Sequence, residues 1–145
     1  MHTYTNDRSA EMANAIHKVF GTHIAIELET GVYTCMEINS PDYNGGSWAF
    51  VANDDHTLGF WYPTDQPHYT ASCENYFTHD AMDAMSIGAA CTLIALNHLL
   101  WGVYHAGNHQ AAAKLSDQFH ALRDWTFDLS EAGTLDGAAI AGFID

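Results

Sequence analysis

Apolar and polar positions change their period several times along the chain, and each change predicts an element. Met12, Ile16, Val19 and Phe20 recur at helical spacing. Thr5 or Asn6 can cap that helix, Asp7 and Glu11 lie near its positive end, and Gly21 is a natural stop. From His23 the pattern alternates: Ile24, Ile26 and Leu28 stand on one side, with Ala25, Glu27 and Glu29 on the other. After Thr30-Gly31, Val32, Thr34, Met36 and Ile38 alternate with Tyr33, Cys35 and Glu37. Two alternating runs across a short glycine-containing turn predict a β-hairpin.

Asn39 to Asp42 reads as a loop, and a third strand is expected from about Ser47 to Ala52. Asn53-Asp54-Asp55-His56 is a polar turn before a fourth strand at Thr57 to Tyr62. Pro63 and Pro67 bound an exposed connection, since neither can donate to a ladder. Tyr69, Ala71 and Cys73 suggest a fifth strand ending near Phe77. Helical periodicity then returns. Thr78 is placed as the N-cap of a long helix reaching about His105, with Asp80 and Asp83 in its first turn. Asn108 can cap the next helix, in which Leu115, Phe119 and Leu122 share a face beside Trp125. A short helix of small residues covers Thr134 to Ile144. The order predicts a single α+β domain over residues 1–145, with an antiparallel sheet of about five strands, one N-terminal helix and three C-terminal helices.

The helix from Thr78 to His105 is apolar nearly all round, which raises a membrane span. Ser86, Thr92, Asn97 and His98 interrupt it, and no Lys or Arg flanks it, so a central buried helix is the expectation. Charge narrows the function further. Eighteen acidic residues face four basic ones, for a net charge of −14. No Lys or Arg occurs between Val19 and Ala113. Such a surface repels phosphate backbones and anionic membranes, so neither nucleic acid nor membrane is an expected direct partner. It either keeps the protein soluble or meets a basic partner. Cys35, Cys73 and Cys91 form no Cys-x-x-Cys pair, and no apolar signal segment opens the chain, so a cytoplasmic protein with reduced thiols is expected.

Ten histidines invite a metal hypothesis, and His98, His105 and His109 are the best-spaced set. Zinc sites need three or four convergent ligands, whereas Ala106-Gly107-Asn108 breaks the helix between the last two. A metal-dependent enzyme using this region is therefore the alternative reading. Asp54-Asp55 and Asp80 with Asp83 are accounted for as turn and helix-start residues. No phosphate-binding glycine loop, nucleophile elbow or dinucleotide fingerprint is present. These residues point to no catalytic group, no cofactor and no metal.

One stretch is more specific than the rest. Tyr43-Asn44-Gly45-Gly46-Ser47-Trp48-Ala49-Phe50 joins a run that tolerates positive φ to large flanking aromatics, with Trp48 and Phe50 facing one side of a strand. It resembles the Tyr-Asn-Gly-Gly-x-Trp-x-Phe signature of the ArdB/KlcA antirestriction family. Phe20-Gly21-Thr22, Ile87 to Leu93, Ala95-Leu96-Asn97-His98-Leu99 and the closing Ile140 to Asp145 are similar to the family in the same order. The resemblance implies a cytoplasmic protein of mobile elements that protects DNA from host type I restriction–modification systems through protein contacts. It brings no catalytic residue. The surfaces expected to meet a partner are Tyr43, Asn44, Gly45 and Gly46, with Trp48 and Phe50 completing the signature, and the closing Phe143, Ile144 and Asp145.

Overall fold

In the computed structural model, which describes residues 1–145, two small antiparallel sheets and four α-helices surround a central helix. Strand β1 (His2–Tyr4) is followed by a 3-10 turn at Asn6–Arg8, helix α1 (Ser9–Phe20) and helix α2 (Thr22–Asn39). Strands β2 (Trp48–Ala52), β3 (Gly59–Pro63), β4 (His68–Ser72) and β5 (Thr78–Asp83) come next. Helices α3 (Ala84–His105), α4 (His109–Glu131) and α5 (Gly137–Ile144) complete the chain. The three-stranded sheet has the order β1-β2-β3, and β4 pairs only with β5. The α+β class and the number of strands match the expectation; the membership of the set does not.

The predicted hairpin over residues 24–38 is helix α2. Its buried residues are Ala25, Leu28, Val32, Cys35 and Met36, a helical stripe hidden beneath the alternation. Ile26 and Ile38, which the strand reading turned inward, are 75% and 60% exposed. Gly31 is not a turn either. A Cβ there would stand 3.2 Å from the Ala95 Cβ, so the glycine lets α2 cross close to α3. Two strands missing from the prediction replace the lost pair. His2–Tyr4 adds to the sheet edge beside β2, and Thr78–Asp83 pairs with β4. The expected helix start at Thr78 is corrected accordingly: Asp83 is the N-cap, its carboxylate accepting from the Ser86 N–H at 3.0 Å. Pro63 is also buried as the last residue of β3, opposite Trp48, and not part of an exposed connection.

Helix α3 packs against α2, α4, α5 and β3. It is 22 residues long, with mean hydropathy 1.5 in its most apolar window, enough by length and composition to cross a bilayer. Here its first half is buried inside the fold, from Ala84 through Leu93 apart from a half-buried Met85. Gly88 sits directly on β3, where a Cβ would overlap the Trp61 carbonyl. Thr92 completes the seam. Its hydroxyl donates to the Gly88 carbonyl at 2.9 Å and accepts the Trp61 N–H at 3.2 Å. Because β3 is an edge strand, that bond satisfies a donor otherwise left without a partner. Phe20, Phe50 and Trp61 meet in the core, Phe20 stacked on Trp61 at 5.3 Å and Phe50 edge-on to it at 5.0 Å.

Candidate functional site

The Tyr43–Phe50 stretch is a joint between the two sheets. Trp48, Ala49 and Phe50 lie in β2, the middle strand, and all five of its residues are buried. The Trp48 indole N–H donates to the Tyr43 hydroxyl at 2.9 Å, closing the loop on itself. Tyr33 of α2 leans on the Trp48 ring at 4.9 Å. Just before the loop, the Asp42 carboxylate accepts from the Thr70 N–H at 3.0 Å and from the Ser40 hydroxyl at 2.9 Å. That ties the loop to β4. Gly45 and Gly46 have φ of +84° and +109°, and a Cβ on Gly46 would overlap the Asp65 carboxylate. The same carboxylate accepts the Ser47 N–H at 3.3 Å. Asn44 is exposed, and its side-chain amide makes no hydrogen bond to the rest of the protein.

The closing residues belong elsewhere, to a cleft on another face of the molecule. It has a volume of about 580 Å³ and lies between α2, α3, the turn joining β4 to β5, and the end of α5. Helix α2 contributes Glu27, Thr30, Gly31, Thr34, Cys35, Ile38 and Asn39, and α3 contributes Ile94, Asn97 and His98. The β4–β5 turn supplies Cys73, Glu74 and Asn75, and Phe143, Ile144 and Asp145 close the far side. The turn is fastened to the chain end: Asn75 donates its amide to the Gly142 carbonyl at 3.0 Å, and Phe77 meets Phe143 edge-on at 6.4 Å. A Cβ on Gly142 would overlap the Phe77 ring, so this contact depends on a glycine. Phe143 is itself buried, whereas Asp145 is exposed.

The walls of the cleft carry carboxylates, amides and thiols. All three cysteines approach it or its wall, and all are free thiols. A hydrogen bond from the buried Cys91 thiol holds Cys35 below the ordinary thiol value, and burial pushes Cys91 well above it. Burial also pushes Cys73 up to about 11. Cys73 therefore stays protonated at neutral pH, and Cys35 is itself buried. Nearby, the Tyr33 hydroxyl is raised by burial and by its 2.9 Å bond to the Glu29 carboxylate.

The histidine set does not converge. His98 lines the cleft, while His105 stacks on Trp101 at 6.0 Å and His109 on Tyr104 at 4.7 Å around the α3–α4 turn. No three His, Cys, Asp or Glu side chains lie close enough together to hold a metal ion. The His98/His105/His109 reading is corrected on that ground.

The sequence reading placed Phe143, Ile144 and Asp145 at a contact surface, and they line the cleft. It did not find the α2 and β4–β5 members. Those come from segments far apart in the chain, and α2 itself had been read as strands. The only sequence-level trace was the exposed helical face Glu27-Thr30-Thr34-Ile38, visible once the period is taken as 3.6.

Comparison with known proteins bears on what these two features serve. No curated protein matches the chain in sequence. A solved structure covers 99% of this chain and 94% of its own, with TM-score 0.78 and 25% identity. It comes from work on the KlcA and ArdB proteins, described as showing a novel fold and antirestriction activity against Type I DNA restriction systems in vivo but not in vitro. The model of the antirestriction protein family matches residues 41–144, from the loop before β2 through the end of α5. With well over half of its length so matched, the chain belongs to the antirestriction protein family.

Proposed function

We propose that this protein shields mobile-element DNA from host type I restriction–modification systems, acting non-enzymatically in the cytoplasm through protein contacts. The observation that carries the reading is the end-to-end likeness to the chain described with such activity. Activity seen in cells and absent in vitro points to a participant that only the cell supplies. The contact is therefore with a restriction system or with a host protein acting on it. A net charge of −14 disfavours direct DNA binding. It also suits a surface that imitates DNA, but a mimic that occupied the nuclease directly would act on the purified enzyme.

The contact is proposed at the cleft end, at Phe143, Ile144 and Asp145, with the Tyr43–Gly46 loop as a second candidate surface through its exposed Asn44. The test is transfer of unmodified phage or plasmid DNA into a type I restricting host with and without this gene. Restored survival of the DNA is expected, and unchanged restriction would overturn the reading. Binding to the purified restriction enzyme that weakens steeply with salt would instead favour direct imitation of DNA.

A further inference from the structure

We infer that the cleft between α2 and α3 receives a basic segment of a partner protein, an Arg or Lys next to an apolar side chain. The inference rests on the antirestriction reading and supplies the partner's chemistry. The cleft's volume of about 580 Å³ falls within the range typical of binding clefts, roughly 300–1,000 Å³. Its charge is one-sided. Glu27 stands on α2, Glu74 on the β4–β5 turn and Asp145 at the end of α5, and none of Arg8, Lys18, Lys114 or Arg123 lines it. No salt bridge within the chain engages these three carboxylates, and none accepts a side-chain hydrogen bond. Carboxylates on facing walls with no cation between them attract one from outside, most strongly where low-dielectric walls focus the field.

The second component is apolar. Ile38 is 60% exposed on the α2 wall, facing a cleft that Ile94 and Ile144 also line. A bare metal ion or a small polycation leaves that surface wet, whereas an amphipathic protein segment covers it. Asn97, whose side-chain amide makes no hydrogen bond within the chain, can bond an extended backbone, whereas Asn39 and Asn75 are engaged with Cys35 and Gly142. Nucleic acid fails on charge, since every added phosphate would face the same carboxylates.

The test uses the full chain and a short fluorescein-labelled peptide of alternating Arg and Leu, with a Glu–Leu peptide and spermine for comparison. Binding of the Arg–Leu peptide is expected to weaken about tenfold in Glu27→Gln/Glu74→Gln, equivalent to roughly 1.4 kcal/mol. It should change less than about twofold in Asp117→Asn/Asp124→Asn, which removes the same charge from exposed sites on α4. Equal weakening in both pairs would overturn the inference, because overall charge would then explain the binding. So would spermine binding as tightly as the peptide, since the apolar wall would play no part. In restricting cells, Glu27→Gln/Glu74→Gln should melt as the parent does and lose protection. Full protection by that variant would sink the cleft's role while leaving the antirestriction reading intact. Failure of the parent chain to protect would sink that reading, and the peptide result would still decide what the cleft binds.

Discussion

In the stretch from Tyr43 to Phe50 almost every side chain is engaged with another part of the same molecule, whereas several lining the cleft are engaged with nothing. Trp48 is buried, bonded to Tyr43 and covered by Tyr33, and Gly46 lies against Asp65. Glu27, Glu74 and Ile38 face a cavity without an internal partner. Residues of the first kind are held in place by the fold, so they make a family recognisable. Residues of the second kind cost the fold little to change and are free to suit a partner. A motif that identifies a family thus need not mark where the protein acts.

The largest effect should come from emptying the joint. Trp48→Ala removes a buried indole and the partner of the Tyr43 hydroxyl, and should destabilise by about 3–5 kcal/mol. Urea denaturation measures it. A variant with near-parental stability would show that the loop is less tightly held than its contacts imply. Gly46→Ala is expected to cost less, about 2 kcal/mol, from a φ of +109° and displacement of Asp65. Protection in cells should fall with stability in both variants and in proportion to it, since neither residue reaches the cleft.

A third effect separates the cleft's buried backing from its open wall. Cys91 has a folded-state value well above the ordinary 9.0, so the unfolded chain gives up the thiol proton first. Its contribution to stability is complete below about pH 9 and declines as pH rises further, by at most about 1.4 kcal/mol per pH unit. Tyr33, raised by burial and by Glu29, adds a loss of the same sign at higher pH. The lowered Cys35 works in the opposite sense, but it stands against the raised Cys91, Cys73 and Tyr33, so the urea midpoint should fall from pH 8 to pH 11. Cys91→Ala should start lower and fall less steeply; an identical slope would remove Cys91 from the account.

What the sequence made legible follows the same division. The long helix, its neighbour α4 with the Asn108 cap, β2, and the loop that carries the family signature were all readable, because their information is local: period, caps and glycines. Residues 22–39 were misread because Ile24, Ile26 and Leu28 satisfy a period of two as well as they belong to a helix. Gly31 looked like a turn when its purpose is to let Ala95 approach. Only the tertiary packing of α3 decides between those readings. The cleft was illegible for a related reason. Its walls come from four segments, one of them misassigned, and no local pattern announces that Glu27 and Glu74 share a cavity.

The smallest expected effect is the most discriminating. The sequence alone suggests that Asn44→Ala combined with Gly45→Ala would damage folding at least as much as activity. The structure splits that pair. Gly45 at φ +84° has open space around it, so an added Cβ meets only backbone strain of about 1 kcal/mol. Asn44 is exposed, has no positive φ and bonds to nothing in the chain, so Asn44→Ala should leave the melting temperature within about a degree or two. Protection in a restricting host should also be unchanged if the loop is only a joint. Lost protection with normal melting would make Asn44 a contact residue after all, and the loop would then join the cleft as a second surface that meets the partner.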